Sequence, residues 1–215
     1  MVSNHNVMVH MPEDLGCRSF PALLALLAGV VQDAPATSRA LLERFGSLGA
    51  TLIATPSQLI DVGDMTPAAV ERLLAVNAAH LCALEEELRQ RDIIGSWSAF
   101  ERYVLARLRF CLVEQARGLF LDRRNGLIAD ELLGEGTVDH TPLYPREVAR
   151  KALELHASAV ILIHNHPSGD PTPSAADIAM TKRVAAALAT IEVALHDHAI
   201  VGRNRVLSMR SAGHI

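Results

Sequence analysis

One short segment, from Ala159 to Asp177, constrains the fold of this chain more than any other; it reads AVILIHNHPSGDPTPSAAD. Its apolar, β-branched beginning predicts a buried strand, because turn residues follow it directly. The turn is rich in Pro and Gly and must bend the chain back. Ser174 then opens a helix, since Ser-x-x-Asp is typical of a capping box at a helix N-terminus. The segment therefore predicts a strand, a turn and a helix in succession.

Two histidines end the predicted strand. Residues two apart in a strand face the same way, so we expect His164 and His166 to point together. Asp177 lies eleven residues beyond the second histidine, on the first turn of the helix. Two imidazoles and one carboxylate are the ligand set of a catalytic zinc that keeps its fourth position open. A capping box alone needs no metal, but Asp177 can both cap the helix and bind an ion. We therefore predict His164, His166 and Asp177 as ligands of Zn²⁺.

A second His-x-His sequence, from His196 to His198, competes for this role. No Asp or Glu follows Asp197 to complete a second ligand set. We therefore expect Asp197 and His198 to support the site from behind the ligands, where such groups are common. The signatures of other zinc enzymes, His-Glu-x-x-His and the cysteine pair of nucleobase deaminases, do not occur in the sequence.

The wording HNHPSGDPTPSAAD resembles the motif of the JAMM (MPN-plus) metalloproteases, and it is closer still to the RadC family, a bacterial branch of that group. The resemblance extends from about Gln115 to Ile215. It implies an α/β fold, with a JAMM/MPN-type (cytidine-deaminase-like) mixed sheet flanked by helices and preceded by a small all-α domain. We place a helical domain with a degenerate helix-hairpin-helix at residues 1–95, and the JAMM/MPN-plus (RadC-like) metallohydrolase domain at residues 96–215.

The resemblance also implies roles for two further residues. The family's catalytic glutamate falls on Glu131, in the second strand of a predicted hairpin; Glu135, in a Gly-flanked turn, is the rival candidate. Glu131 would take a proton from the activated water and deliver it to the leaving nitrogen. Ser174 would donate a hydrogen bond to the oxyanion. The implied function is a zinc-dependent hydrolase that cleaves a peptide or isopeptide bond in a peptide or protein substrate.

The RadC name also carries an association with DNA repair or DNA processing, which is the alternative function; an inactive interaction scaffold is a third. Residues 1–95 carry 6 Lys or Arg against 11 Asp or Glu, and residues 96–215 carry 14 against 13. Neither part has the basic excess that DNA phosphates favour. In the hairpin at Gly63, Met65 stands where a second glycine is normal, and Asp64 adds negative charge. We expect this hairpin to serve packing or the formation of a homodimer rather than DNA binding.

The cysteines and the distribution of apolar residues indicate the cellular compartment. Cys17, Cys82 and Cys111 are scattered and form no Cys-x-x-Cys pair, so the sequence supports neither a disulfide framework nor a sulfur zinc site. No apolar run approaches the length of a membrane span. The first residues lack the basic and apolar regions of a signal peptide. We therefore expect a cytoplasmic protein without a membrane partner.

Overall fold

The computed structural model describes residues 18–90, 92–136 and 143–215; Cys17 and a part of the RadC-like stretch, residues 137–142, lie outside these ranges. The chain forms two compact units, residues 1–78 and 79–215. They divide inside a long helix, whereas the sequence places the boundary near residue 95. The division comes earlier because Leu88 of that helix is buried in the core of the second unit, with Leu84 packed against it.

The first unit is helical. Its helices are α1 (Ser19–Leu27), α2 (Ala34–Phe45), α3 (Leu48–Ile53), α4 (Pro56–Ile60) and the beginning of α5 (Pro67–Arg89). Thr55 and Gln58 form a capping box at the start of α4. Gly46 ends α2 in the left-handed conformation, with φ 79°. Buried side chains that include Leu41 and Leu73 form the core of this unit.

The carboxylate of Asp64, in the turn between α4 and α5, accepts hydrogen bonds from other residues of the first unit. Its Oδ2 accepts hydrogen bonds from the backbone N–H groups of Gln32, at 2.6 Å, and Asp33, at 2.9 Å. The hydroxyl of Thr37 donates to Oδ1. Backbone donors at the start of a helix attract anions, and here the chain's own carboxylate satisfies them. The negative charge at this turn therefore holds α2 to the α4–α5 connection.

The second unit is a mixed sheet flanked by helices, as the resemblance implies. Its elements beyond α5 are α6 (Trp97–Leu108), β1 (Gln115–Leu121), β2 (Leu127–Glu135), α7 (Pro145–Glu154), β3 (Ala159–Asn165), α8 (Ala175–Ala189), β4 (Ala194–Val201) and β5 (Val206–Ser208). The strand order is β2-β1-β3-β4-β5. Strands β3 and β4 are parallel, and the other neighbours are antiparallel. Within the described ranges, no helix has both the length and the apolar character needed to cross a membrane.

Alternating strand residues sort between the two faces of the sheet. Leu119 and Ile161 belong to a core shared with α6. Phe120 and Val160 belong to a core that also contains Val184 of α8. Helix α8 connects β3 to its parallel neighbour β4, the kind of crossover that a parallel pair requires. The first turn of α8 therefore begins close to the end of β3.

Candidate metal centre

The end of β3 carries two histidines whose rings meet. His164 is buried, with 3% of its surface exposed. His166 follows the strand, and its backbone N–H donates to the carbonyl oxygen of Val201 at 3.0 Å, which extends the β3–β4 pairing by one residue. The two Nε2 atoms lie 2.9 Å apart. The His-x-His spacing thus turns both rings to the same side, as a strand period of two predicts.

The other nitrogen of each ring is engaged elsewhere. Nδ1 of His166 lies 2.7 Å from the backbone oxygen of Asp170, which can only accept, so Nδ1 must donate. In a neutral His166, Nε2 therefore carries a lone pair, and this lone pair points at His164. Nδ1 of His164 lies 2.7 Å from Nε2 of His198. Two ring nitrogens at 2.9 Å are held together only by a shared proton or a cation.

Asp177 completes the cluster from the first turn of α8. Its Oδ2 accepts from the backbone N–H of Ser174 at 2.7 Å and from the Ser174 hydroxyl at 2.7 Å, and its own N–H donates to Ser174 Oγ at 3.1 Å. Its Oδ1 lies 3.5 Å from Nε2 of His164. Oδ2, the oxygen that caps the helix, lies 3.6 Å from Nε2 of His166, so each carboxylate oxygen faces one of the two imidazoles. One atom from each of His164, His166 and Asp177 lies within 4.8 Å of the others, a donor set that fits Zn²⁺.

The electrostatics of the cluster favour neutral His164 and ionised Asp177. Burial lowers the pKa of His164 to about 4. Burial alone would raise the pKa of Asp177, but its contacts with the His166 and His164 rings outweigh it, with help from Ser174, and hold that pKa below its usual range. The Asp177 carboxylate, 3.6 Å from Nε2 of His166, raises the pKa of His166. A proton on His166 would therefore compete with a cation for this position.

Glu114 lines the same open cavity, whose volume is about 590 Å³. Strand β1 runs antiparallel to β3, and Ala116 pairs with His164. Glu114 precedes Ala116 by two residues, so it lies on the same face as His164 and level with His166. Its charge contributes to the raised pKa of His166. A second carboxylate thus borders the cluster, from the strand next to the one that carries the histidines.

Asn165, between the two histidines, fixes the segment that carries Glu114. Its side chain is buried, with 2% of the residue exposed. Its Oδ1 accepts from the N–H of Gln115 at 2.9 Å, and its Nδ2 donates to the carbonyl oxygen of Val113 at 3.1 Å. These two contacts hold the backbone on both sides of Glu114. The sequence His164-Asn165-His166 therefore places the two candidate-ligand imidazoles on one face of the sheet. On the other face, the Asn165 side chain holds the segment that carries Glu114.

Residues 94–214 match the family model described as the RadC-like JAB domain. The chain belongs to the RadC family. A UPF0758 protein of Rhodobacter capsulatus is 48% identical to this chain over 182 residues, which are 85% of this chain and 85% of that protein. The RadC family recognised from the wording around the two histidines is thus confirmed, and with it the JAB/MPN-type α/β fold.

The structure of this RadC domain places Glu131 away from the cluster. Glu131 pairs with Gly118 on β1, which in turn pairs with Leu162 on β3. Glu131 is therefore level with Leu162, two residues before His164. It lies on β2, which is separated from β3 by β1. Its Oε2 lies 3.0 Å from Nζ of Lys151 on α7. The strand register thus directs this side chain to α7, and the expected catalytic role of Glu131 stays a prediction.

The rival carboxylate, Glu135, also misses the RadC cluster. It lies opposite Gln115 in the sheet, and its Oε2 accepts from Nε2 of that glutamine at 3.2 Å on the surface. It does not line the cavity. Ser174 does line the cavity and contacts Asp177, where the sequence places it. The glutamate that borders the cluster is Glu114, which precedes the hairpin rather than following its turn.

A β-bulge separates the two histidines of the second His-x-His sequence in RadC. Val160 pairs with Leu195 but Ile161 pairs with Asp197, so His196 is the extra residue. His196 contacts Oδ1 of Asn125 at 2.9 Å, whereas His198 lines the metal-site cavity. Asp197 accepts from the backbone N–H of Arg210 at 3.0 Å and from the Ser208 hydroxyl. In the described part of the chain, this second His-x-His sequence therefore forms no second cluster of candidate ligands. Burial lowers the pKa of His198.

Proposed function

We propose that this RadC protein is a zinc-dependent hydrolase that cleaves a peptide or isopeptide bond. The observation that carries the proposal is the pair of Nε2 atoms at 2.9 Å, both in reach of the Asp177 carboxylate and open to a cavity with a further carboxylate. Structural zinc sites close all four positions with protein ligands. Three ligands at an open cavity are typical of a catalytic site.

His164, His166 and Asp177 would hold the ion. Bound there, zinc supplies a Lewis acid that lowers the pKa of a water toward neutrality. The lowered pKa values of His164 and Asp177 keep two donor atoms unprotonated, and His166 must release its proton to supply the third. The hydrogen bonds of Ser174 and Asp170 restrict the rotation of Asp177 and His166, so the ligand atoms are already oriented before an ion arrives.

Glu114 is the group we assign to proton transfer. A general base must lie within hydrogen-bond reach of the proton that it removes, and Glu114 borders the cavity on the side of His166. It would accept a proton from the attacking water and return it to the leaving nitrogen. Glu131, committed to Lys151 at 3.0 Å, is left with a structural contact. Such a carboxylate typically contributes about 10²–10⁴-fold to the rate.

Ser174 would act first through Asp177. Its hydroxyl donates to Oδ2 of Asp177 at 2.7 Å, so an oxyanion of the substrate would have to compete for that proton. When the competition succeeds, Ser174 supplies the oxyanion hydrogen bond, and loss of such a donor typically costs about 10²–10³ in rate. We assign this role to Ser174 because it lines the cavity.

The walls of the cavity fit a peptide rather than a highly charged substrate. Leu112, Leu143 and Met180 line it beside the cluster, and Leu112 is 68% exposed. Binding pockets are lined mostly by apolar side chains with a few polar groups that fix orientation, and this cavity combines both. The amide to be cleaved would thus lie over the histidines with its flanking side chains against these residues.

Metal analysis tests the proposal first. We expect about one zinc per chain in protein purified without chelator, and a large loss in the His164→Ala/His166→Ala double variant. Equal, near-zero zinc in both proteins would contradict the metal site. Circular dichroism of the double variant serves as the control for folding, because His164 is buried.

A substrate panel then tests the reaction. Peptide, isopeptide and single-stranded DNA substrates are incubated with wild type, Glu114→Gln and Glu131→Gln. We expect hydrolysis of a peptide or isopeptide bond that Glu114→Gln reduces by about 10²–10⁴-fold and Glu131→Gln leaves close to wild type. The reverse order of the two variants would return the catalytic role to Glu131.

The same panel addresses the alternative of a DNA-processing protein. DNA binding whose affinity falls steeply with salt would favour that function. The acidic balance of residues 1–95 and the use of Asp64 inside the first unit favour the hydrolase.

A further inference from the structure

A buried chain of hydrogen bonds runs from the back of His164 to α8. Nδ1 of His164 lies 2.7 Å from Nε2 of His198. Nδ1 of His198 lies 2.6 Å from Oγ1 of Thr181, and that Oγ1 lies 2.6 Å from the backbone oxygen of Asp177. His164, His198 and Thr181 are 3%, 4% and 0% exposed. The proposed reaction assigns no role to His198 or Thr181.

The direction of every hydrogen bond in this chain follows from its last member. The backbone oxygen of Asp177 can only accept, so the Thr181 hydroxyl must donate to it. The single proton of that hydroxyl is then used, and Oγ1 must accept from Nδ1–H of His198. A neutral His198 with a proton on Nδ1 has a lone pair on Nε2. That lone pair must accept from Nδ1–H of His164, which leaves Nε2 of His164 without a proton.

We propose that His198 and Thr181 are positioning residues that set the tautomer of His164, so that its Nε2 always presents a lone pair to the metal centre. The metal-binding part of this inference rests on the proposed function, whereas the tautomer is a property of the metal-free protein. Which ring nitrogen of a histidine carries the proton is decided by the partner of the other nitrogen.

The two histidines of the cluster are set in different ways. His166 needs no relay, because its Nδ1 faces a backbone oxygen, that of Asp170. His198 can donate or accept at Nε2, so it fixes His164 only if its own tautomer is fixed. Thr181 provides that constraint, and the carbonyl group of Asp177 provides the one for Thr181. Asp177 therefore contributes a carboxylate to the front of the cluster and a carbonyl to the back.

Removal of the Thr181 hydroxyl should allow the hydrogen bond between His198 and His164 to reverse its direction. In Thr181→Val, Nδ1 of His198 loses its acceptor, so the tautomer with the proton on Nε2 becomes accessible. That tautomer donates to Nδ1 of His164 and places the His164 proton on Nε2, where the ion would bind. Thr181→Ser is the matched control, because it keeps the hydroxyl and removes the methyl group instead.

The test uses full-length protein labelled with ¹⁵N-histidine, stripped of metal, at a pH where His164 is neutral. Long-range ¹H–¹⁵N correlation spectra distinguish a protonated from a bare ring nitrogen, and loss of signals in His164→Gln assigns the residue. We expect a bare Nε2 on His164 in wild type and Thr181→Ser, and a protonated Nε2 in a substantial fraction of Thr181→Val. Zinc competition with a chromophoric chelator should show an affinity about 10–100-fold lower in Thr181→Val only.

Two outcomes would overturn the proposal: a His164 tautomer unchanged in Thr181→Val, or equal zinc affinities in the valine and serine variants. A second pair applies if Thr181→Val does not fold: His198→Gln keeps an oxygen that can accept from His164 and should retain its tautomer, whereas His198→Phe should lose it. Retention of the tautomer in both would equally refute the relay. Absence of zinc binding in wild type with the expected tautomer would reject the proposed function and leave the relay intact.

Discussion

Zinc should stabilise the second unit, and Asp177→Asn should remove most of that effect. The substitution takes away the negative charge of the cluster but keeps an oxygen that can accept from the N–H of Ser174. The helix cap is therefore retained while the metal ligand is weakened. This makes Asp177→Asn a cleaner test than replacement of His164, whose ring is part of the buried structure.

The expected size follows from mass action. A ligand at 100 times its dissociation constant that binds only the folded state stabilises it by about 2.7 kcal/mol. For a chain of this size, about 1 kcal/mol shifts the melting temperature by about 2–4 °C, so we expect about 5–11 °C. Loss of a ligand should cost at least about 100-fold in affinity, the upper end of what outer contacts cost. The same zinc concentration would then contribute only about 0.4 kcal/mol and shift the transition by about 1–2 °C.

The assay is thermal unfolding followed by tryptophan fluorescence. The chain contains 1 tryptophan, Trp97, which begins α6 in the second unit, so the signal reports the unit that holds the cluster. Glu131→Gln should show the wild-type response to zinc. Equal shifts in wild type and Asp177→Asn, or no zinc response in wild type at zinc concentrations that saturate direct binding, would refute the ligand set.

Three other predictions follow from the same geometry. Asn165→Ala should cost about 1–3 kcal/mol in chemical denaturation, because it leaves the part-buried backbone groups of Gln115 and Val113 without this side-chain partner; it should reduce hydrolysis without a matching loss of zinc affinity, and a parallel loss of both would contradict its role. Gly202→Ala should weaken zinc binding, since a Cβ there would lie 2.6 Å from a backbone oxygen of the turn after β3; Gly95→Ala, with an ordinary 3.4 Å contact, is the control. Zinc affinity should fall with acidity from above pH 6.5, because the pKa of His166 is raised above its ordinary value of 6.5 and a proton then competes with the ion; flat affinity between about pH 6 and 8 would disagree.

The cluster itself was predictable because its residues lie close together in the sequence. The strand period fixes the common direction of His164 and His166, and the capping pattern places Asp177 on the first turn of α8. Both are local rules that need no knowledge of the rest of the sheet. The Asn-Gly hairpin signal likewise places Asn125 at the turn between β1 and β2, with φ 60°.

The partner carboxylate was not predictable in this way, because its position depends on strand register. Glu131 and Glu114 lie on either side of the same hairpin turn, and only the pairing of Ala116 with His164 shows which of them is level with the site. In the structure, β1 and β3 are neighbours with opposite directions, so a residue just before β1 lies beside the end of β3. The sequence gives no sign of that strand order.

The role of His198 was also hidden, since a bulge cannot be read from the His-Asp-His pattern. Regular alternation predicts that His196 and His198 face the same way. The extra residue in β4 instead sends His196 to Asn125 and leaves His198 behind His164. Because no Asp or Glu follows Asp197, the sequence assigns His198 a supporting role only, and its direct contact with a predicted ligand comes from the fold.

The three candidate ligands all come from one uninterrupted stretch of chain, whereas Glu114 and His198 approach from β1 and β4, on either side of β3. In the proposed reaction, ion capture and proton transfer are thus encoded in separate places, and natural variation could act on them independently. By this proposal, a descendant that lost Glu114 alone would keep the three candidate ligands and lose the proton-transfer group. Such a chain would bind an ion without hydrolysing a substrate, with no change in architecture.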